Sequence, residues 1–260
     1  MMVRTHLAML AACVAVVSGT VHAASCSAVS GPDRVPLIEL YTSEGCDSCP
    51  PADRWLATRG AEAFKARRAI PLALHVDYWD HLGWRDPYAS AQFSARQRAS
   101  AQRANSRVIY TPQVQVNGRD FRGWADRGAT ARALEAGAGP ARARLALDAT
   151  RDAGGQWTVA VTAEAIAGAP RGAGVYLALY ESGLVSSVKA GENRGATLRH
   201  DFVVREWLGP LPLDANGRLV DRRTLPVRAD VDYARAGIVA FVQDPAGEVL
   251  QALALPLCGG

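Results

Sequence analysis

The run Cys46-Asp47-Ser48-Cys49, followed at once by Pro50 and Pro51 and preceded by the strand-like stretch 35–41, constrains this chain more than any other feature. Two cysteines three apart, where a strand ends and a helix begins, place the first sulfur over the helix N-terminus. Unpaired N–H groups and the helix dipole favour thiolate there. The second sulfur lies one turn further in, so a small disulfide ring can open and close by exchange. A Cys-x-x-Cys pair also serves as half of a zinc site, but zinc then needs a second pair of ligands. The remaining cysteines, Cys13, Cys26 and Cys258, lie near the termini, and His6, His22, His75, His81 and His200 show no paired helical spacing. A redox dithiol is therefore favoured over an inert disulfide or a metal site.

At 260 residues the chain is long enough for two domains. Residues 1–24 read as a signal peptide: Arg4 and His6, an apolar stretch over 7–17, then Val21-His22-Ala23-Ala24 as a small-residue cleavage site. Leu10-Ala11-Ala12-Cys13 has a lipoprotein-like look, but the apolar run before Cys13 is short and continues past it, so lipidation is the weaker reading. No later segment reaches the length of a membrane span, and the expected location is the periplasm or the medium. Export leaves Cys26, Cys46, Cys49 and Cys258. If Cys46 pairs with Cys49, a Cys26–Cys258 clasp joins the two ends; sequence alone also permits the other pairings. The net charge of +4 is mild, and its arginines are scattered among acidic and apolar neighbours, which argues against nucleic acid as a partner.

The elements predicted along the chain are a buried strand at 35–41, a helix at 52–65, a strand at 70–77, a helix at 88–105, a strand at 108–116 returning as a hairpin through Asn117-Gly118, and a helix at 126–138. After Gly139-Pro140 the texture changes: residues 141–150 and 156–165 alternate apolar and polar side chains about Asp152-Ala153-Gly154-Gly155 as a hairpin, and 175–181, 199–207, 237–243 and 248–255 read as further short strands. These predict an all-β, sandwich-like domain over 139–258, an appendage that is structural or binds a partner.

Strand, dithiol, helix, strand, helix, Thr-Pro, hairpin, helix is the order of a thioredoxin-like α/β fold, expected over 35–138. The motifs Glu39-Leu40-Tyr41-Thr42-Ser43-Glu44-Gly45-Cys46-Asp47-Ser48-Cys49-Pro50-Pro51-Ala52-Asp53, His75-Val76-Asp77-Tyr78-Trp79-Asp80 and Tyr110-Thr111-Pro112-Gln113 resemble the secreted bacterial family known as domain of unknown function 1223. That resemblance implies a thioredoxin-like fold and no established activity. Thioredoxin-like enzymes attack with the first cysteine and resolve with the second, so the resemblance implies Cys46 as an exposed nucleophile and Cys49 as resolver. It also implies a cis peptide at Thr111-Pro112, facing the dithiol and an extended substrate; Gln113 beside it is read as a substrate-facing polar group. Asp47 and Glu44 add negative charge beside Cys46, which opposes the helix-terminus effect and argues mildly for a reducing role.

Glu39, among Leu37, Ile38 and Leu40, is read either as a buried proton acceptor for Cys49 or as the partner of an arginine. Tyr78 and Trp79, with Asp80, His81 and Trp84, follow the second strand; the aromatics either form a substrate groove or fill the gap between domains. The polar stretch Gly191-Glu192-Asn193-Arg194-Gly195 either contacts the dithiol or is a plain hairpin loop. The function expected is thiol-disulfide exchange with a protein or small thiol, with no organic cofactor. The alternatives are a binding module with a fixed disulfide and a copper-handling protein using both thiolates.

Overall fold

The computed structural model describes residues 24–258 apart from residues 167 and 227. The expected signal peptide, with Cys13, lies outside the described residues save for Ala24. The chain opens with β1 (Ala24–Val29) and β2 (Leu37–Thr42), which runs into the dithiol turn. α1 (Pro50–Trp55), a π-helical turn (Leu56–Gly60) and α2 (Ala61–Lys65) together occupy the helix expected at 52–65. Then come β3 (Ile70–His75), a 3-10 helix (Asp77–Leu82) and α3 (Ala91–Arg103), which starts where the Ser90 hydroxyl accepts from Gln92 N–H. The hairpin β4 (Gln113–Val116) and β5 (Arg119–Asp120) leads to α4 (Arg127–Gly137), capped by the Asp126 carboxylate. The strand expected from residue 108 begins at Gln113, one residue after a proline with no N–H to give a ladder.

The second half supplies β6 (Ala143–Arg151), β7 (Trp157–Ala165), β8 (Gly174–Glu181), β9 (Leu184–Ser187), β10 (Thr197–His200), β11 (Val203–Pro212), β12 (Arg218–Thr224), β13 (Ala236–Gln243) and β14 (Val249–Pro256). The described residues are thus mostly β-sheet with four α-helices.

The largest sheet has eight strands in the order β14-β13-β8-β11-β3-β2-β4-β5, so it runs across the division expected at residue 139. The seam is narrow: β11 meets β3 in parallel at Val203 and Ala73, with Ala73 N–H donating to Phe202 C=O at 2.8 Å. β2 pairs with β3 in parallel and with β4 antiparallel, which places the dithiol at the end of a central strand. A second sheet, β1-β6-β7-β12, faces the other half of the large one.

Two cores follow from this. Val175, Leu177 and Leu179 of β8 and Ile238, Ala240 and Val242 of β13 point toward β6 and β7. The alternate residues, Tyr176, Ala178, Tyr180, Val239 and Phe241, face the helices. Strands covered on both faces read as continuous apolar runs, and that is how β8 and β13 look in sequence. The C-terminal strands are therefore not a separate all-β unit: four of the nine, β8, β11, β13 and β14, extend the first sheet. Cys26 and Cys258 are bonded across a separation of 232 residues, with Cα atoms 6.0 Å apart, tying β1 to the end of β14.

Candidate functional site at the Cys46–Cys49 disulfide

Cys46 and Cys49 form a disulfide in a turn closed by Cys46 N–H on Ser43 C=O (3.3 Å) and Cys49 N–H on Cys46 C=O (3.2 Å). Cys49 is the N-cap of α1, and its carbonyl accepts from Ala52 and Asp53 N–H. Pro50 and Pro51 stand where a helix leaves N–H groups unpaired, so their missing donors cost nothing there.

The expectation of an exposed Cys46 fails. Both cysteines are 0% exposed, while Asp47 and Ser48 between them face solvent. The Ser48 hydroxyl lies 3.3 Å from Cys46 Sγ. The Thr111 hydroxyl lies 3.4 Å from the same sulfur, and the Trp79 indole N–H donates to Thr111 Oγ1 at 2.8 Å. An indole N–H can only donate, so Thr111 Oγ1 accepts from it and is left free to direct its own proton at Cys46. A hydrogen bond of this kind favours the thiolate when the disulfide opens. Trp79 reaches this position because Gly45 makes room: a Cβ there would sit 3.1 Å from Trp79 Cβ. The Thr111–Pro112 peptide bond is cis.

Beneath the turn lies a buried polar frame. Glu44 accepts from Trp84 Nε1 (2.8 Å) and pairs with His200 Nε2 (3.1 Å) through its carboxylate, and its N–H donates to Asp86 Oδ2 (2.8 Å). Asp86 in turn meets His75 Nδ1 at 2.7 Å, both groups fully buried. Burial alone would lower the His75 pKa, but the Asp86 carboxylate outweighs it and raises the ring above the ordinary histidine range. Burial likewise works to raise Asp86, and His75 with the Glu44 and Tyr88 N–H groups more than reverses that. The His75 and His200 rings meet edge to face at 4.9 Å. Glu44, read from the sequence as a charge opposing the thiolate, is thus shielded by its partners. Asp53, one helical turn after Cys49, is also buried, and burial raises its pKa against the pull of His200 and His75.

The other sequence candidates fall as follows. Glu39 is 1% exposed and both its oxygens are taken by Arg96, at 2.6 and 3.1 Å; of its two expected uses, the arginine pair is the one its side chain makes. Gln113 is a buried link, accepting from Gln97 and donating to Asp120. Tyr78 donates to Gln97 Oε1 at 3.2 Å, so it braces α3. Trp79 and Trp84 both reach into the dithiol turn. Of the two readings of the polar stretch 191–195, contact with the dithiol turn is the one its side chains make, through Glu192 and Asn193. The joining of His75, Asp86 and His200 to Glu44 was missed because they come from distant segments, although a Glu so close to two cysteines was a signal that a buried partner is needed. Among the described residues, no cluster of three or more His, Cys, Asp or Glu side chains is placed to hold a metal ion.

A protein with this frame belongs, by its fold and its buried disulfide turn, with mixed-sheet proteins that carry a Cys-x-x-Cys pair at a helix start. More particularly, the chain belongs to the family of proteins of unknown function DUF1223, whose pattern matches residues 37–243. No functionally curated protein matches the chain. A crystal structure of a protein from Agrobacterium tumefaciens is similar, with 24% identity, a TM-score of 0.59, and coverage of 85% of this chain and 94% of that one. HBP35 of Porphyromonas gingivalis is similar at 15% identity and a TM-score of 0.65, covering 87% of this chain and 76% of that one. At these identities the likeness speaks to fold alone. Two disulfides fit an extracellular or periplasmic protein, and among the described residues no helix is long and apolar enough to cross a membrane.

Proposed function

We propose that the chain is an exported thiol-disulfide oxidoreductase whose residues 35–138 are thioredoxin-like, with the later strands forming a sandwich-like extension. The observation that carries this reading is the Trp79–Thr111–Cys46 hydrogen-bond chain, which gives one sulfur of the pair a directed donor. A fixed structural disulfide has no use for such a donor, whereas a sulfur that becomes a thiolate does. In the reaction proposed, a partner thiolate attacks Cys46 Sγ; a bond forms between the two sulfurs, the Cys46–Cys49 bond breaks, and Cys49 leaves with the electron pair and takes a proton. A second partner thiolate then displaces Cys46, so the partner dithiol is oxidised by two electrons and this disulfide is reduced. Run backwards, the same steps oxidise this protein, with Cys46 attacking and Cys49 resolving. Thr111, joined to Pro112 by the cis peptide bond, stands beside Cys46. The test is the Cys46/Cys49 reduction potential, from glutathione equilibration with thiol trapping and mass spectrometry. A value between roughly −120 and −270 mV supports exchange, and one below about −300 mV means a structural disulfide and ends this reading.

A further inference from the structure

β9 and β10 pair with each other in a two-stranded ribbon outside the two larger sheets, and the ribbon's tip, 188–196, lies on the dithiol turn. The Asn193 carboxamide donates to the Glu44 carbonyl at 3.0 Å and to the Cys46 carbonyl at 2.8 Å. The Glu192 carboxylate accepts from Asp47 N–H at 3.0 Å. Gly191 lies beside the turn: a Cβ added to it would be in ordinary contact with Trp84 Cβ at 3.4 Å and Gly45 Cα at 3.6 Å. The tip is held in shape by Val188, 1% exposed, which exchanges hydrogen bonds with Gly195 and Ala196. These contacts are made on backbone groups of the turn and not on sulfur; both cysteines are 0% exposed, and the Ser48 and Thr111 hydroxyls lie 3.3 and 3.4 Å from Cys46 Sγ, so the tip holds closed the turn that buries the sulfur.

We infer that the β9–β10 tip is an internal strap that has to withdraw before a partner sulfur reaches Cys46, and that the partner is a polypeptide and not a low-molecular-weight thiol. The inference rests on the redox reading above. Exchange needs the incoming thiolate in contact with the sulfur it attacks, and here that sulfur is covered. Withdrawal bares two carbonyls and one N–H beside the disulfide, and bare polar groups next to apolar surroundings are costly. A polypeptide can replace the strap, offering a carbonyl to Asp47 N–H and N–H groups to Glu44 and Cys46. A small thiol brings too few groups to do so. The strap's contacts engage atoms that both redox states share, so loosening it changes the rate of exchange in both directions more than the potential.

The test measures reduction of the mature chain by reduced glutathione and by a reduced protein dithiol, in wild type, Glu192→Ala and Asn193→Asp, with near-ultraviolet circular dichroism to verify folding. Asn193→Asp sets a carboxylate against two carbonyls and drives the tip off. The wild type should react at least tenfold faster with the protein dithiol than with glutathione, and the variants should gain at least tenfold with glutathione. If Asn193→Asp does not fold, Asn193→Ser is the milder form, with the same direction of change. Glutathione rates equal in wild type and all folded variants would overturn the strap, as would a wild type that reacts equally fast with both thiols. A potential in the range of structural disulfides, together with faster variants, would sink the redox reading while leaving the strap.

Discussion

The Trp79 indole nitrogen lies 2.8 Å from the Thr111 hydroxyl oxygen, and this contact decides where the Thr111 proton points. Trp79 cannot accept a hydrogen bond, so Thr111 does the accepting and offers its proton to Cys46 Sγ, 3.4 Å away. A tryptophan thus acts on the sulfur without touching it.

Replacing Trp79 with Phe frees the Thr111 hydroxyl to turn elsewhere. The lost alignment is worth about 0.5–1.5 kcal/mol, equivalent to a rise of about 0.5–1 unit in the Cys46 pKa of the reduced protein. Ultraviolet thiolate absorbance of the reduced Cys49→Ser protein as a function of pH reads this without a reagent having to reach the covered sulfur. Thr111→Val should move the curve in the same direction, and an unmoved curve in both variants would remove the proposed role of this chain of bonds.

Glu39 and Arg96 form a buried ion pair, 1% and 8% exposed, with the guanidinium stacked 4.8 Å from the Trp207 ring and 4.9 Å from the Tyr176 ring. Arg96→Met leaves an uncompensated buried carboxylate and should cost about 3–5 kcal/mol in urea unfolding. The double variant Glu39→Gln/Arg96→Met should recover a substantial part of that. Glu39→Gln should leave the pH dependence of thiol exchange in place; a lost acid limb would restore Glu39 as a proton acceptor.

The His75–Asp86 pair makes stability depend on pH from two sides. The raised His75 pKa contributes stability that is complete below the unfolded histidine value, about 6.5, and is lost as pH rises through the higher folded value. The lowered Asp86 pKa contributes stability that is present above about 3.9 and is lost as pH falls through the lower folded value. Urea midpoints should therefore be highest between about pH 4 and 6.5 and lower at pH 8. In Asp86→Asn the difference between pH 6 and pH 8 should shrink. Equal midpoints at pH 6 and pH 8 in the wild type would count against the pair.

Removing the terminal clasp with Cys26→Ala and Cys258→Ala should lower stability by up to about 5 kcal/mol, the chain-entropy value for a loop closed over 232 residues. The loss should first appear as faster amide exchange along β1 and its pairing with β6, because β1 sits at the edge of its sheet. Uniform destabilisation with β1 still protected would mean that packing, and not the bond, holds the strand.

Much of the fold was legible where one physical signal dominates a segment. β2, β3, β8 and β13 are apolar runs, α3 and α4 carry capping residues at Ser90 and Asp126, and the Asp152-Ala153-Gly154-Gly155 turn between β6 and β7 is rich in turn formers. β1, β9 and β12 were missed because they are edge or ribbon strands with one or both faces in water. In β12, Arg218–Thr224, charged residues obscure the period-two pattern.

At the site, the Cys46–Cys49 pair, Thr111, Pro112 and Trp79 stood out because their chemistry is unusual within a few residues of sequence. Tertiary structure alone could decide that Cys46 is buried, that Arg96 claims Glu39, and that Trp84, His200 and Asn193 converge on Glu44. Helix starts, turns and apolar strands arise from local backbone preferences that a short stretch of sequence carries in full. The partner of a buried charge and the cover over a sulfur come from residues up to 156 positions away, and which of them arrive depends on how β8, β11 and β13 extend the sheet begun by β2 and β3.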